Sequence, residues 1–169
     1  MEPGFRGHFS FATHALRKGL GQFRPETPQA AVATLQRAAE QIETAVQQMH
    51  WIIPDMVEPR VVIHESLGRA REAAGDRKGA LESYNFAASL ANGTRAHYRA
   101  ALLLEKTAVD TWAERRPGEA MALFMDAKQR LEAATELPPD ATPSQRREHL
   151  AYLDRTIAFL KGAKVEPIR

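Results

Sequence analysis

Along this 169-residue chain, apolar residues return at every third or fourth position over long stretches and almost nowhere alternate. That spacing lays one apolar stripe along an α-helix, whereas strict alternation would mark a strand. Val, Ile and Thr are never gathered into alternating runs, and Ala, Leu, Glu, Gln and Arg dominate. Breakers cut the pattern into about seven predicted helices, roughly 6–22, 28–50, 58–74, 78–91, 95–115, 118–136 and 143–161. In "RPETPQ" (24–29), Thr27 is the expected N-cap and Pro28 the first helical residue. Pro54 and Pro59 end the second helix. "AGDRKG", "NGT" and "ERRPGE" read as short turns, with Thr94 a cap for the helix that follows. In "LPPDATPSQ", Thr142, Pro143 and Gln145 spell a capping box; Gly162 stops the last helix, and "AKVEPIR" is expected to be a loose tail. Short connections make neighbouring helices antiparallel, which leaves a closed bundle or an open stack of hairpins.

An internal repeat chooses the stack. At an offset of forty, Gly68 meets Ala108, Ala80 meets Ala120, Tyr84 meets Phe124, and Ala87 meets Ala127. Small residues recur where two helices approach closely, and an aromatic recurs where a hairpin fills its neighbour's groove.

These positions resemble the tetratricopeptide repeat, whose pattern sets Leu-Gly on a first helix and Ala-x-x-x-aromatic-x-x-Ala on a second. Leu67-Gly68 stands at the first pair, Gly75-Asp76 at the turn between the helices, and Ala80, Tyr84 and Ala87 follow at the family's distances. His64 stands at the aromatic position, Arg71 at the tyrosine position and Asn92 where proline is usual. In the second copy Thr107 and Thr111 replace Leu and Tyr, and the first helix is about six residues too long. Upstream, Ala31, Leu35 and Ala38 echo the second-helix spacing. The resemblance covers residues 61–136 and the flanks by inference. It implies an all-α fold, a right-handed stack of antiparallel hairpins (an α-solenoid). The expected layout is one domain over 1–169: an N-terminal hairpin (1–54), two repeat hairpins (55–137), and a capping helix with tail (138–169). Leu150, Leu153, Ile157 and Leu160 share one stripe of that last helix, as a cap with one apolar and one wet face requires.

Composition changes little in this picture. Hydrophobic residues are 44% and charged residues 26% of the chain, ordinary for a soluble domain. A formal charge of +2 is too mild to point to nucleic acid, which needs clustered Lys and Arg. The absence of cysteine excludes disulfides and thiolate chemistry. No run of eighteen apolar residues and no signal-peptide pattern appears, so a cytoplasmic location is expected and a membrane partner is not.

Candidate chemistry is thin. The six histidines do not fall at three- or four-residue spacing, and no catalytic motif or phosphate loop occurs, so neither enzyme, metal nor cofactor is expected. At the N-terminus Phe5, Phe9, Ala12, Leu16, Leu20 and Phe23 form a stripe flanked by Arg6, Arg17, Lys18 and Arg24. Such a helix can lie on a membrane, dimerise or act as a transit sequence, but packing against 28–50 is the expected use. Trp51, Ile52, Ile53, Met56 and Val57 make an apolar linker expected to plug the core.

The resemblance places binding on the first helix of each hairpin: Val62, Glu65, Arg69 and Glu72, then Leu102, Glu105, Val109 and Trp112. Glu65 and Glu105 stand where some family members carry carboxylate-clamping Lys and Asn. The expected function is therefore a non-enzymatic adaptor that holds a peptide or helix of another protein in an acidic and apolar groove. The alternatives are a helical-bundle homodimer or sensor, and a membrane or nucleic-acid surface module that uses the basic N-terminal helix.

Overall fold

A computed structural model describes residues 4–24, 26–48, 56–90 and 94–162. They form seven α-helices and, among the described residues, no strand: α1 (Phe5–Gln22), α2 (Gln29–Gln47), α3 (Val57–Ala73), α4 (Arg77–Ser89), α5 (Thr94–Ala113), α6 (Pro117–Ala133) and α7 (Pro143–Gly162). The chain divides into two compact units, 1–93 and 94–169, a boundary that falls inside the segment expected to hold two consecutive repeat hairpins.

In the first unit α1 packs on α2, α3 packs on α4, and the two hairpins meet through α2 with α3 and α1 with α3. The N-terminal stripe is used as expected. Ala12 and Ala15 are buried and Phe9, Leu16 and Phe23 pack against the core formed with Ala31, Leu35, Ala38 and Ile42. Leu20 is an exception at 47% exposure. The helix expected from 28 begins at Gln29 with Pro28 as N-cap and no side-chain cap, so Thr27 does not fill that role. A Pro cap has no hydroxyl, and the first helical bond runs from the Val32 amide to the Pro28 carbonyl. Of the apolar linker, Met56 is buried and Val57 half-buried; Trp51, Ile52 and Ile53 lie outside the described residues, as do the Thr94 side chain and the "AKVEPIR" tail.

The second unit is built from α5 on α6 and α6 on α7. Leu153, Ile157 and Leu160 are buried, as the cap stripe requires, with Leu150 half-buried. The capping box is present: the Gln145 amide donates to Thr142 Oγ1 (3.2 Å) and the Thr142 amide to Gln145 Oε1 (2.8 Å). Arg146 then donates to the terminal carbonyls of α6, at Leu131 and Glu132 (3.0 and 3.1 Å), and ties the two helices end to start.

The forty-residue repeat reaches into the backbone of both turns. The Gly75 amide bonds the Glu72 carbonyl and the Asp76 amide the Arg71 carbonyl; the Arg115 amide bonds Trp112 and the Arg116 amide Thr111 in the same way. Each is a Schellman turn, whose first residue past the cap takes a left-handed φ. Gly75 does so at +82° and Arg115 at +60°, the latter without glycine's freedom.

A shorter spacing is shared by three hairpins. Gly19 faces Leu35, Gly68 faces Tyr84, and Ala108 stands sixteen residues before Phe124, all buried. A Cβ at Gly68 would sit 2.5 Å from the Tyr84 ring, and one at Gly19 would sit 2.7 Å from Leu35. The small residue on the first helix lets the large one on the second lie flat against backbone. The flanking pairs Ala31/Ala38, Ala80/Ala87 and Ala120/Ala127 are all fully buried.

Candidate functional site

The eight residues expected to line a groove behave differently in the two units. On α3, Arg69 is exposed, with its guanidinium 5.8 Å over the Phe23 ring, and Val62 is half-buried. Glu72 accepts a hydrogen bond from the Tyr84 hydroxyl (2.9 Å). Glu65 is only 8% exposed and corrects the expectation of an open acidic wall. The cause is that α3 is covered by α1, α2 and α4 together, so more of its circumference is shut than one hairpin partner would shut.

On α5 the expected stripe divides along its length. Leu102 and Glu105 are half-buried, and Glu105 accepts a hydrogen bond from His149 Nδ1 of α7 (2.9 Å). Tyr98 meets the same imidazole edge-on at 6.5 Å and helps close this end. One to two turns further along, Val109 and Trp112 remain 45% and 40% exposed. They form one wall of a cavity of about 180 Å³, with Phe124 of α6 and Tyr152, Thr156, Phe159 and Leu160 of α7 completing it. Phe124 and Tyr152 are in edge-to-face contact at 6.5 Å, while Phe159 is exposed.

This groove is mainly aromatic and aliphatic, and its polar side-chain groups are the Thr156 and Tyr152 hydroxyls and the Trp112 indole N–H. An apolar side chain that leaves water for such a surface gains about 1.5–3 kcal/mol when fully covered. Aromatic walls also give rigid contact area at small entropic cost. Sequence reasoning found Val109 and Trp112 but missed Tyr152, Thr156 and Phe159. Their signal was a second stripe on α7, spaced four and three apart beside the buried Leu153, Ile157 and Leu160.

Several charged side chains are arranged as structural ties. Arg60 grips Glu43 through Nε (3.0 Å) and Nη2 (2.6 Å), and His64 Nε2 donates to the same carboxylate at 3.2 Å. Phe86 of α4 covers both side chains, 4.2 Å from the His64 ring and 5.6 Å from the Arg60 guanidinium. Burial pushes the Glu43 carboxyl up, but the bonds and charges of His64 and Arg60 outweigh it and hold it below the usual carboxylate range. Arg71, at the family's tyrosine position, reaches Gln36 of α2 and the Gly79 carbonyl and Ser83 hydroxyl of α4. A wider concavity of about 580 Å³ between α6 and α7 is lined by Asp126, Lys128 and Glu132 among others. Its Lys128 pairs with Asp154 and its Asp126 with Arg130. Among the described residues no group of three His, Asp or Glu side chains is placed to hold a metal ion, and no helix is long and apolar enough to cross a membrane.

Hairpins of one design and an aromatic groove against the last helix define the class: an all-α, helical-hairpin protein. No family model, curated protein or solved structure matches the chain.

Proposed function

We propose that this is a non-enzymatic protein-interaction module of tetratricopeptide-like hairpins, which holds an apolar peptide or helix segment of another protein between α5 and α7. The observation that carries this reading is the pair Val109 and Trp112, exposed yet facing Tyr152 and Phe159 across a formed cavity. Large apolar side chains are normally drawn into a core of this size, and four left open along one groove suit a partner's side chains. The spacing of small and large residues in three hairpins supports the family resemblance. The burial of Glu65 and the engagement of Glu105 by His149 move the expected recognition from acidic residues to aromatic ones.

The test is selection from a displayed peptide library against the whole protein, with Trp112→Ala and Phe159→Ala as counter-targets. Peptides rich in Leu, Ile or Phe that bind the native protein and lose about tenfold or more in either variant support the reading. Peptides that bind all three proteins equally place the site elsewhere.

A further inference from the structure

With its apolar stripe spent on α2, helix α1 still presents a second face that the groove does not involve. Arg6, Ser10, His14, Arg17, Lys18, Gly21 and Arg24 are exposed along it. Eleven residues separate Arg6 from Arg17, which brings them to within about 20° around the helix axis. Lys18 lies one residue on, and Arg24 follows just past the helix end. No Asp or Glu occurs between Gly4 and Arg24, and neither Arg6, Arg17 nor Lys18 has a carboxylate partner among the described residues. Other cations are tied to carboxylates, among them Arg60 to Glu43 and Lys128 to Asp154. The face is also flanked by two large apolar side chains, Phe11 at 50% and Leu20 at 47% exposure, one on each border of the basic strip. Arg69 of α3, stacked over Phe23, adds a fifth cation beside its C-terminal end.

We infer that this face is a docking surface for an anionic lipid bilayer. A helix of eighteen residues is about 27 Å long, so lying flat it sets its cations against lipid headgroups together. Three cations along α1, with Arg24 just past its end and Arg69 beside it, make a cluster of the size that recognises acidic lipid, at about fivefold in affinity per cation near the surface. The flanking Phe11 and Leu20 decide between polyanions. Side chains of this kind enter the headgroup and acyl boundary, whereas phosphate contacts on a nucleic acid call for none. The site is separate from the α5/α7 groove and does not depend on it.

The experiment is flotation of the full chain with phosphatidylcholine vesicles, with and without about one-third phosphatidylserine, at low and physiological salt, alongside single-stranded RNA and duplex DNA. The expected result is binding to the acidic vesicles at least about tenfold tighter than to neutral ones, weakening with salt. Arg17→Glu with Lys18→Glu should reduce it about twentyfold or more, and Phe11→Ser with Leu20→Ser by several-fold. Lys78→Glu with Lys106→Glu, exposed on α4 and α5, serves as the charge-matched control and should lose much less. All replaced side chains are exposed, and an unchanged helical circular dichroism spectrum verifies the fold. Failure to bind acidic vesicles at low salt, or equal binding to neutral ones, overturns the inference. So does nucleic-acid binding that is tighter than vesicle binding and indifferent to Phe11→Ser and Leu20→Ser.

Discussion

Gly68 and Tyr84 are in contact so close that a methyl group at Gly68 would lie 2.5 Å from Cε1 of the ring. The tyrosine is fully buried and its hydroxyl is fixed to Glu72, so the ring has little room to retreat. Gly68→Ala should therefore cost about 1–3 kcal/mol by overpacking, despite alanine's better helix propensity. The same substitution at Gly21, where nothing lies within 4 Å of the added carbon, should stabilise by about 0.5–1 kcal/mol. Urea midpoints of the two variants, moving in opposite directions, are the check.

The twin Schellman turns give a second opposed pair. Gly75→Ala forces alanine into a left-handed φ and should destabilise by about 1–2 kcal/mol. Arg115→Gly removes that strain from the other turn, partly offset by the larger entropy of unfolded glycine, and should leave stability unchanged or raised by up to about 1 kcal/mol. Thermal unfolding of both variants beside the native chain measures it.

Both units should lose stability in acid, each through a different group. Glu43 has a folded pKa below its ordinary 4.5, so the unfolded chain binds more protons between the two values. Its contribution is complete above about pH 4.5 and is lost as pH falls through the folded value. Glu43→Gln should cost about 1–2 kcal/mol at neutral pH and flatten the acid slope. His97 is also lowered, from 6.5, first by burial and then by the charge of Arg130; its Nδ1 has no hydrogen-bond partner. The sign is the same, and its loss of stability begins as pH falls through about 6.5. Urea midpoints taken across that range, with His97→Leu as comparison, should show a shallower decline in the variant.

Arg71 should behave as a tie rather than a surface charge. Arg71→Met keeps the packing of the stem but leaves Gln36 without its charged donor and removes one bond each from Gly79 and Ser83. A loss of about 1–2 kcal/mol in urea unfolding is expected, set against no more than about 0.5 kcal/mol for Lys78→Met on the exposed face.

The helices were legible because they rest on local signals: apolar spacing, turn residues and the capping box. The first hairpin was harder to see. Leu35 stands there in place of an aromatic, and Gly19 reads in sequence only as a weak helix former, although it is the seat for Leu35. The site was legible by half. Which side of α3 is shut depends on three other helices, so Glu65 could not be placed from its own neighbours in sequence. Val109 and Trp112 needed only their own helix to be read, whereas Tyr152 and Phe159 become groove walls only when α7 packs on α6.

Trp112 itself reports most directly on the groove. The chain has two tryptophans, so Trp51→Phe leaves Trp112 as the single emitter, 40% exposed in the free protein. Titration of that variant with a peptide selected as above should shift its emission to the blue, saturably, and at the concentration where binding is measured independently. Phe159→Ala should move both curves together by about tenfold. Binding that saturates while Trp112 emission stays fixed would contradict a partner site between α5 and α7.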